Sequence, residues 1–400
     1  MPAVVAELIS FADAQRLVLE RAKPLEAERV PIERAAGRVL AESAAAAVDL
    51  PPFPSSAMDG IAVRAADTSA APVTLPLVGE VAAGSPSSAP LPPGQATRIA
   101  TGGVVPEGAD AVIPVEVITV GDGDVTIAAP AEPGANVRER GGDIRAGEIV
   151  LEPGAALGPA QVAALAAAGV AEVRCTKRPR VAILVTGSEL RAPGEELAPG
   201  EIYESNALLL AAGLGAAGAV PAQLGVVPDD PDALAVALER ALLGFDVLVT
   251  SGGASVGEHD LVRAGLRDQR VEELFWGVAM KPGKPVAFGI RRDHLVFTLP
   301  GNPVSVLVTF AMLVRPAVNA LLGLPDPLPR EGHATLASAL RRDPVRMQFV
   351  RARVEGGQAH PLVGQDSHMA VRSGRANALV PVEAGEGELA AGTTVSFVDL

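Results

Sequence analysis

From residue 179 onward, short apolar runs alternate with stretches whose apolar residues recur at helical spacing. Val181–Thr186 reads as a strand, and Ser205–Ala216 as a helix with Ser205 as its N-cap. Ala222–Val227 is the next strand, Asp232–Leu243 the next helix, and Phe245–Thr250 the strand after it. His294–Leu299 is a further strand and Val304–Leu322 a long helix. This alternation predicts a parallel sheet with helices on both faces. Ligands of such sheets bind beyond the carboxyl ends of the strands. Gly187–Leu190, Pro228–Asp230, Ser251–Asp260 and Pro300–Ser305 would project at that edge.

The flanks keep a different rhythm. Residues 1–26 read as helical, with capping-box spacing between Ser10 and Asp13. A second short helix is expected from near Pro31 to near Gly37. Residues 46–146 hold short Val, Thr and Ile runs between turn residues, including a hairpin turn at Gly121–Asp124, and predict a β-rich domain. Pro159–Ala168 reads as a helix and Ala171–Cys175 as a strand. Short strand-like runs return after Pro325–Pro329. The expected fold class is multidomain α/β, with a central doubly wound parallel sheet, a β-rich insertion and a small C-terminal β-barrel. The expected divisions are a helical segment at 1–26, a linking domain at 27–45 and 147–178, a β-rich domain at 46–146, the sheet domain at 179–327 and a C-terminal β domain at 328–400.

Charge narrows the function classes. The net charge is −14, which argues against a general nucleic-acid surface. One cysteine, Cys175, excludes a disulfide framework and a multi-cysteine metal site. Apolar residues make up 48 % of the chain and charged residues 20 %, which is a globular composition. The N-terminus lacks the basic segment and apolar core of a signal peptide. No membrane span and a cytoplasmic location are therefore expected.

The candidate chemistry gathers between Asp246 and Ser305. Ser251-Gly252-Gly253-Ala-Ser255-Val-Gly257 follows an apolar run and ends in Glu258-His259-Asp260. Glycines after a strand let backbone N–H groups approach an anion. A tight turn with spare glycines is the bland alternative. Only four of the 33 Lys+Arg residues are lysine, and two of them, Lys281 and Lys284, stand three apart between prolines. A compact ammonium suits a small oxyanion where a planar guanidinium does not; solvated surface lysines are the competing reading. Glu189, Asp229, Asp230 and Asp260 collect at the same rim, as hard-cation ligands or as helix caps. Gly253–Gly257 fits a nucleophile-elbow pattern, but the strand is expected to end too early for one. The histidines show no zinc spacing. Two further loops stand out in the β-rich region, Pro51–Gly60 and Ile99–Gly103, with a similar turn at Glu139–Ile144.

Six segments occur in order: Pro-Pro-Phe…Ser-Ala-Met-Asp-Gly, Ala-Thr-Gly, Thr-Gly-Ser-Glu-Leu, Ser-Gly-Gly-Ala-Ser-Val-Gly-Glu-His-Asp, Lys-Pro-Gly-Lys-Pro and Leu-Pro-Gly-Asn-Pro-Val-Ser. In this the chain resembles the molybdopterin molybdenumtransferases, a family that includes the bacterial MoeA proteins and the gephyrin E domain. The resemblance implies a homodimer of four-domain subunits with a site shared between them. It implies that molybdate is inserted into adenylylated molybdopterin with release of AMP, assisted by a divalent cation such as Mg2+. It points to Asp59, Glu189, Asp229, Asp260 and Lys281 as catalytic positions, with Glu189, Asp229 and Asp260 near the metal. It points to Thr101, Asp143, Ser251, Gly252, Gly253, Ser255, Gly257, Lys284, Pro300, Gly301, Asn302, Pro303 and Ser305 as substrate-binding positions. A molybdopterin adenylyltransferase, itself a possible partner, and a non-catalytic scaffold are the alternative readings. There are departures: Pro54-Ser55 replace a common Asp-Asn, and Gly277 stands where a basic residue is frequent. The missing cation would weaken anion binding unless Arg291 or another arginine replaces it.

Overall fold

The computed structural model describes residues 8–252 and 261–400. It divides into two compact units. One comprises residues 8–28, 37–41, 175–252 and 261–400; the other comprises residues 29–36 and 42–174.

The first unit is built on a six-stranded sheet. Its order is Val220–Val227, Arg180–Thr186, Val247–Ser251, His294–Leu299, Ala287–Arg291 and Glu272–Trp276. The first four strands are parallel, as the alternating pattern predicts. The last two are antiparallel, an edge that the strand–helix alternation does not reveal. The inner strands are apolar on both faces because both faces are covered. Val181, Ile183, Val185, Val247 and Val249 point into one core cluster, and Ala182, Leu184 and Leu248 into another. Phe288 and Phe297 stack at 4.9 Å between ring centroids.

Helix Pro303–Leu321 runs through the larger cluster. Its length and apolar composition would suffice to cross a membrane, but 78 % of its most apolar window is already buried inside the protein. It is not one continuous α-helix: Phe310–Val314 forms a π turn between two α segments. Pro316, which has no N–H, leaves the Met312 carbonyl without its helical donor. The side-chain amide of Gln15 donates to that carbonyl at 3.1 Å. Gln15 lies on helix Phe11–Arg21, which starts at Ser10 as expected: the Asp13 amide donates to the Ser10 hydroxyl at 3.1 Å. The helix does not extend to residue 26. Pro24 follows its C-cap Ala22, and Ala27–Pro31 is a strand. The second short helix is only a 3-10 turn, Ile32–Arg34.

The C-terminal strands close into a barrel. Its circuit is Met347–Glu355, Gln358–Pro361, Glu331–Leu336, Thr394–Asp399, Ala378–Val382 and back to Met347–Glu355. The short strand Met280–Lys281 pairs in parallel with Met347–Gln348 and ties the sheet region to the barrel. Cys175 is fully buried, and burial pushes its thiol pKa up.

The second unit is mainly β. A six-stranded sheet runs Ala111–Pro114, Gly60–Val63, Ala96–Ile99, Val73–Val81, Asp124–Ile127 and Ile118–Val120. The Gly121–Asp124 turn forms, with Gly123 at φ +90°. Gly60 lies so close to the neighbouring strand that a Cβ there would stand 2.0 Å from the Ile113 carbonyl oxygen.

Phe297, fully buried in the sheet of the first unit, anchors that core. Phe297→Ala is expected to destabilise the unit by about 3–5 kcal/mol, whereas Leu243→Ala, at an exposed helix position, should cost less than about 0.5 kcal/mol. Denaturant midpoints of the two variants check the contrast, and equal midpoints would contradict it.

Candidate functional site

The four parallel strands deliver their carboxyl ends to one edge. Gly187, Glu189, Asp229, Ser251, Gly252, Pro300, Gly301 and Asn302 line a cavity of about 820 Å³ there. That volume lies in the range of small-molecule sites. The first turn after Val247–Ser251 has to be glycine: Gly252 has φ +96°, and a Cβ would stand 2.4 Å from the Thr186 carbonyl oxygen.

The neighbouring acids take different parts. Asp230 caps helix Pro231–Gly244, accepting from the Ala233 amide at 2.8 Å. Asp229 is left to face the Ser188 loop, where it accepts from the Ser188 amide at 3.3 Å and hydroxyl at 3.2 Å. Glu189 and Asp229 are both exposed on the cavity wall. Two carboxylates on one wall of a roomy cavity are oxygen ligands of the kind a hard divalent cation takes together with water. Among the described residues no group of three or more His, Cys, Asp or Glu is placed to hold a metal without such help. Gly253, Ser255, Gly257 and Asp260 lie outside the described residues.

Ser251 is fully buried. Its hydroxyl donates to the Pro300 carbonyl at 3.3 Å and accepts from Asn206 Nδ2 at 3.0 Å. Asn206 also donates to the Gly301 carbonyl at 2.7 Å, so it ties two rim loops together. No local pattern marks Asn206 beyond its place after Ser205. Ser205 is the N-cap residue but makes no side-chain cap; the Glu204 carboxylate accepts from the Ala207 amide instead.

A second cavity, of about 290 Å³, shares Pro285, Pro300 and Asn302 with the first. Lys281, Lys284, Ser305 and Arg346 line it. Both lysines are exposed, and the Lys281–Pro282 peptide is cis. Pro303 opens the adjacent helix. Gln365, Asp366 and Ser367 complete the wall from the C-terminal region. Asn302 Nδ2 donates to the Ser367 hydroxyl at 2.8 Å, and the Val304 amide to the Ser367 carbonyl at 3.2 Å.

Gly277 itself brings no cation to this chamber, which Arg346 lines beside the two lysines. Gly277 has φ +84°, and a Cβ would press on Leu8 at 2.9 Å, so a long side chain there is strained. Arg291 pairs with His294 at the opposite end of its strand from the Leu299 rim and does not replace it. The third cation of the chamber is Arg346. Asp343 holds it at 2.9 Å and stands 3.5 Å from Lys281 Nζ. Burial pushes the Asp343 pKa up, but the Val345 and Arg346 amides and the Arg346 guanidinium outweigh this and bring it down to about 2.

In the second unit the three unusual loops meet. The Thr101 amide and hydroxyl both donate to Asp59 Oδ1, at 2.6 and 2.7 Å, and hold its pKa down. The Asp143 amide donates to the Leu50 carbonyl at 2.9 Å and the Gly141 amide to Pro51 at 2.9 Å, which places the Asp143 turn against the proline loop. The departing residues Pro54 and Ser55 serve the backbone. Pro54 accepts from the Val105 amide at 3.0 Å, and Ser55 pairs with Arg138.

Three family models match the chain. They are "MoeA N-terminal region (domain I and II)" at residues 9–169, "Probable molybdopterin binding domain" at 182–320 and "MoeA C-terminal region (domain IV)" at 333–400. Molybdopterin molybdenumtransferase 2 of Mycobacterium tuberculosis is 39 % identical over 403 residues, covering 98 % of this chain and 99 % of its own. The chain belongs to the molybdopterin molybdenumtransferase family. Another family member, from Haemophilus influenzae, is 36 % identical over 399 residues, with 98 % of each chain covered. A crystal structure of the molybdopterin biosynthesis MoeA protein from Pyrococcus horikoshii OT3 superposes with a TM-score of 0.86 at 30 % identity, covering 98 % of this chain and 100 % of that one. The family resemblance in the six motifs and the multidomain α/β fold are thus borne out.

Asp343 yields a pH prediction. Its pKa is lowered on folding, so its contribution is fully present above the unfolded value near 4 and disappears as the pH falls through about 2. Asp343→Asn should cost on the order of 1–2 kcal/mol at pH 7, after discounting for the partly exposed Arg346 partner, and almost nothing at pH 2. Denaturation midpoints of the two proteins across this range check it; a gap that persists at pH 2 contradicts it.

Proposed function

We propose that this chain is a molybdopterin molybdenumtransferase, which inserts molybdate into adenylylated molybdopterin and releases AMP to give molybdenum cofactor. The observation that carries the reading is the pair of contiguous cavities. The larger has the volume of a nucleotide-bearing substrate, and the smaller concentrates Lys281, Lys284 and Arg346. In a chain of net charge −14, such a chamber attracts a small dianion by local charge alone. Molybdate fits it, and the shared wall at Pro300 and Asn302 would hold it beside the nucleotide-bearing substrate.

The chain's own residues position and stabilise the reactants. The Ser251–Gly252 turn and the Pro300–Asn302 loop, joined through Asn206, give the substrate a rigid floor. The three cations offset negative charge on the oxyanion. Glu189, Asp229 and, by the family pattern, Asp260 would hold Mg2+, which when bound draws charge from the phosphoanhydride. Asp59, Thr101 and Asp143 would complete the site from the partner subunit of a homodimer acting in the cytoplasm. The domain divisions at residues 26, 46, 146, 179 and 328 belong to the same reading. The adenylyltransferase and pure-scaffold readings are not favoured, because the cation chamber needs Arg346 and Ser367 from the C-terminal region and serves no purpose in a scaffold.

The direct test is incubation of the pure protein with adenylylated molybdopterin, molybdate and magnesium. AMP release should depend on molybdate. Each chamber ammonium makes a charge-assisted contact worth roughly 1.5–3 kcal/mol, so Lys284→Ala should raise the half-saturating molybdate concentration about ten- to a hundredfold. Lys284→Arg should rescue only in part, because the planar fork cannot occupy the same point. Molybdate-independent AMP release, or no change in either variant, would sink the reading.

Subunit sharing has its own test. Asp59→Ala and Lys281→Ala proteins, each impaired, should regain part of their activity when mixed and allowed to exchange subunits. A monomer by sedimentation, or no recovery on mixing, removes the shared site.

A further inference from the structure

Arg351 is fully buried, yet among the described residues no carboxylate is bonded to it. An unpaired buried guanidinium is costly unless its donors are all met. Here four of the five are met by a single segment of chain. Nη1 donates to the Met369 carbonyl at 3.2 Å and the Ser373 hydroxyl at 2.6 Å; Nη2 donates to the Gly364 carbonyl at 2.9 Å and the Asp366 carbonyl at 3.3 Å. The backbone of Arg351 grips the same segment. Its amide donates to Gln365 Oε1 at 3.0 Å, and its carbonyl accepts from Gln365 Nε2 at 2.9 Å and from the Leu362 amide at 2.9 Å.

This segment carries Gln365, Asp366 and Ser367 into the wall of the cation chamber. Its far side docks on Asn302 and Val304 at the sheet rim through Ser367. Arg351 itself is absent from that wall. These four guanidinium bonds all go to residues 364–373, beside the site.

We propose that Arg351 is a positioning residue for oxyanion binding: by clamping residues 362–373 from beneath, it fixes Ser367 and its neighbours against Lys281, Lys284 and Arg346. The proposal rests on the reading of that chamber as the molybdate site. A fork with four fixed acceptors selects one loop geometry, which a single ammonium cannot do. Loss of the clamp leaves the cations in place but frees the wall opposite them. Molybdate binding therefore weakens, while the nucleotide-sized cavity, built from the sheet edge, keeps its shape.

The test uses Arg351→Met and Arg351→Lys in the full chain, with Lys284→Ala as reference. In Arg351→Met, amide hydrogen exchange should rise about tenfold within 362–373 and stay unchanged in Ala378–Val382 and Thr394–Asp399. Half-saturating molybdate should rise about tenfold, half-saturating adenylylated molybdopterin should change less than about threefold, and kcat should recover at high molybdate. Arg351→Lys should fall between. If the methionine variant does not fold, Ser373→Ala, which removes one acceptor, should show the same split at about threefold. Exchange that rises throughout the barrel, or a kcat loss that molybdate does not restore, would mean that Arg351 only supports the fold. If Lys284→Ala moves the molybdate requirement and Arg351→Met does not, the inference fails and the reading of the chamber stands. If neither moves it, the reading itself fails.

Discussion

Burial of the strand Val247–Ser251 on both faces is the constraint from which the site follows. All five of its residues are buried, and its neighbours on either side are parallel to it. A strand covered on both faces has no solvent face to turn outward, so a slip in register would move every residue into the wrong cluster. The fixed register brings Thr186, Ser251 and Leu299 to the same edge. The loops beyond them then have little freedom, and Gly252 passes the Thr186 carbonyl where a side chain cannot.

The cation chamber depends on a different balance. Lys281 reaches it from a two-residue strand that is paired to the barrel strand bearing Gln348. Arg346 reaches it from the turn just before that barrel strand, held by Asp343. One acid thus restrains two cations, while among the described residues no acid is paired with Lys284. An anion entering the chamber competes with Asp343 for Lys281, which makes the carboxylate a counter-charge in the empty state and a neighbour in the filled one.

Much of this was legible from residue patterns, for identifiable reasons. The inner strands read clearly because doubly buried strands are continuous apolar runs. The lysine pair stood out because the chain otherwise uses arginine. For the same reason Arg346 was invisible: one arginine among many, some 60 residues downstream, carries no local signal. Asn206 was hidden because its role lies in a bond to a loop 95 positions away. The antiparallel strands Ala287–Arg291 and Glu272–Trp276 carry no alternation signal, because no helix separates Ala287–Arg291 from His294–Leu299. The helical pattern of the first segment runs on past Pro24, but the helix stops at Arg21 because a proline restricts the residue before it. Asp229 and Asp230 could not be told apart until the helix start was known, since only the residue at the cap position faces the Ala233 amide.

The buried Cys175 has a practical side. It is the chain's one thiol, enclosed beside Leu40 and raised in pKa, so it offers alkylating reagents neither access nor thiolate. The unmodified protein is in effect a cysteine-free background. A cysteine introduced at Ser367 or Thr101 would accept a fluorophore or spin label selectively, without first stripping the chain of native thiols, so distances across the proposed subunit boundary become measurable on the otherwise natural protein.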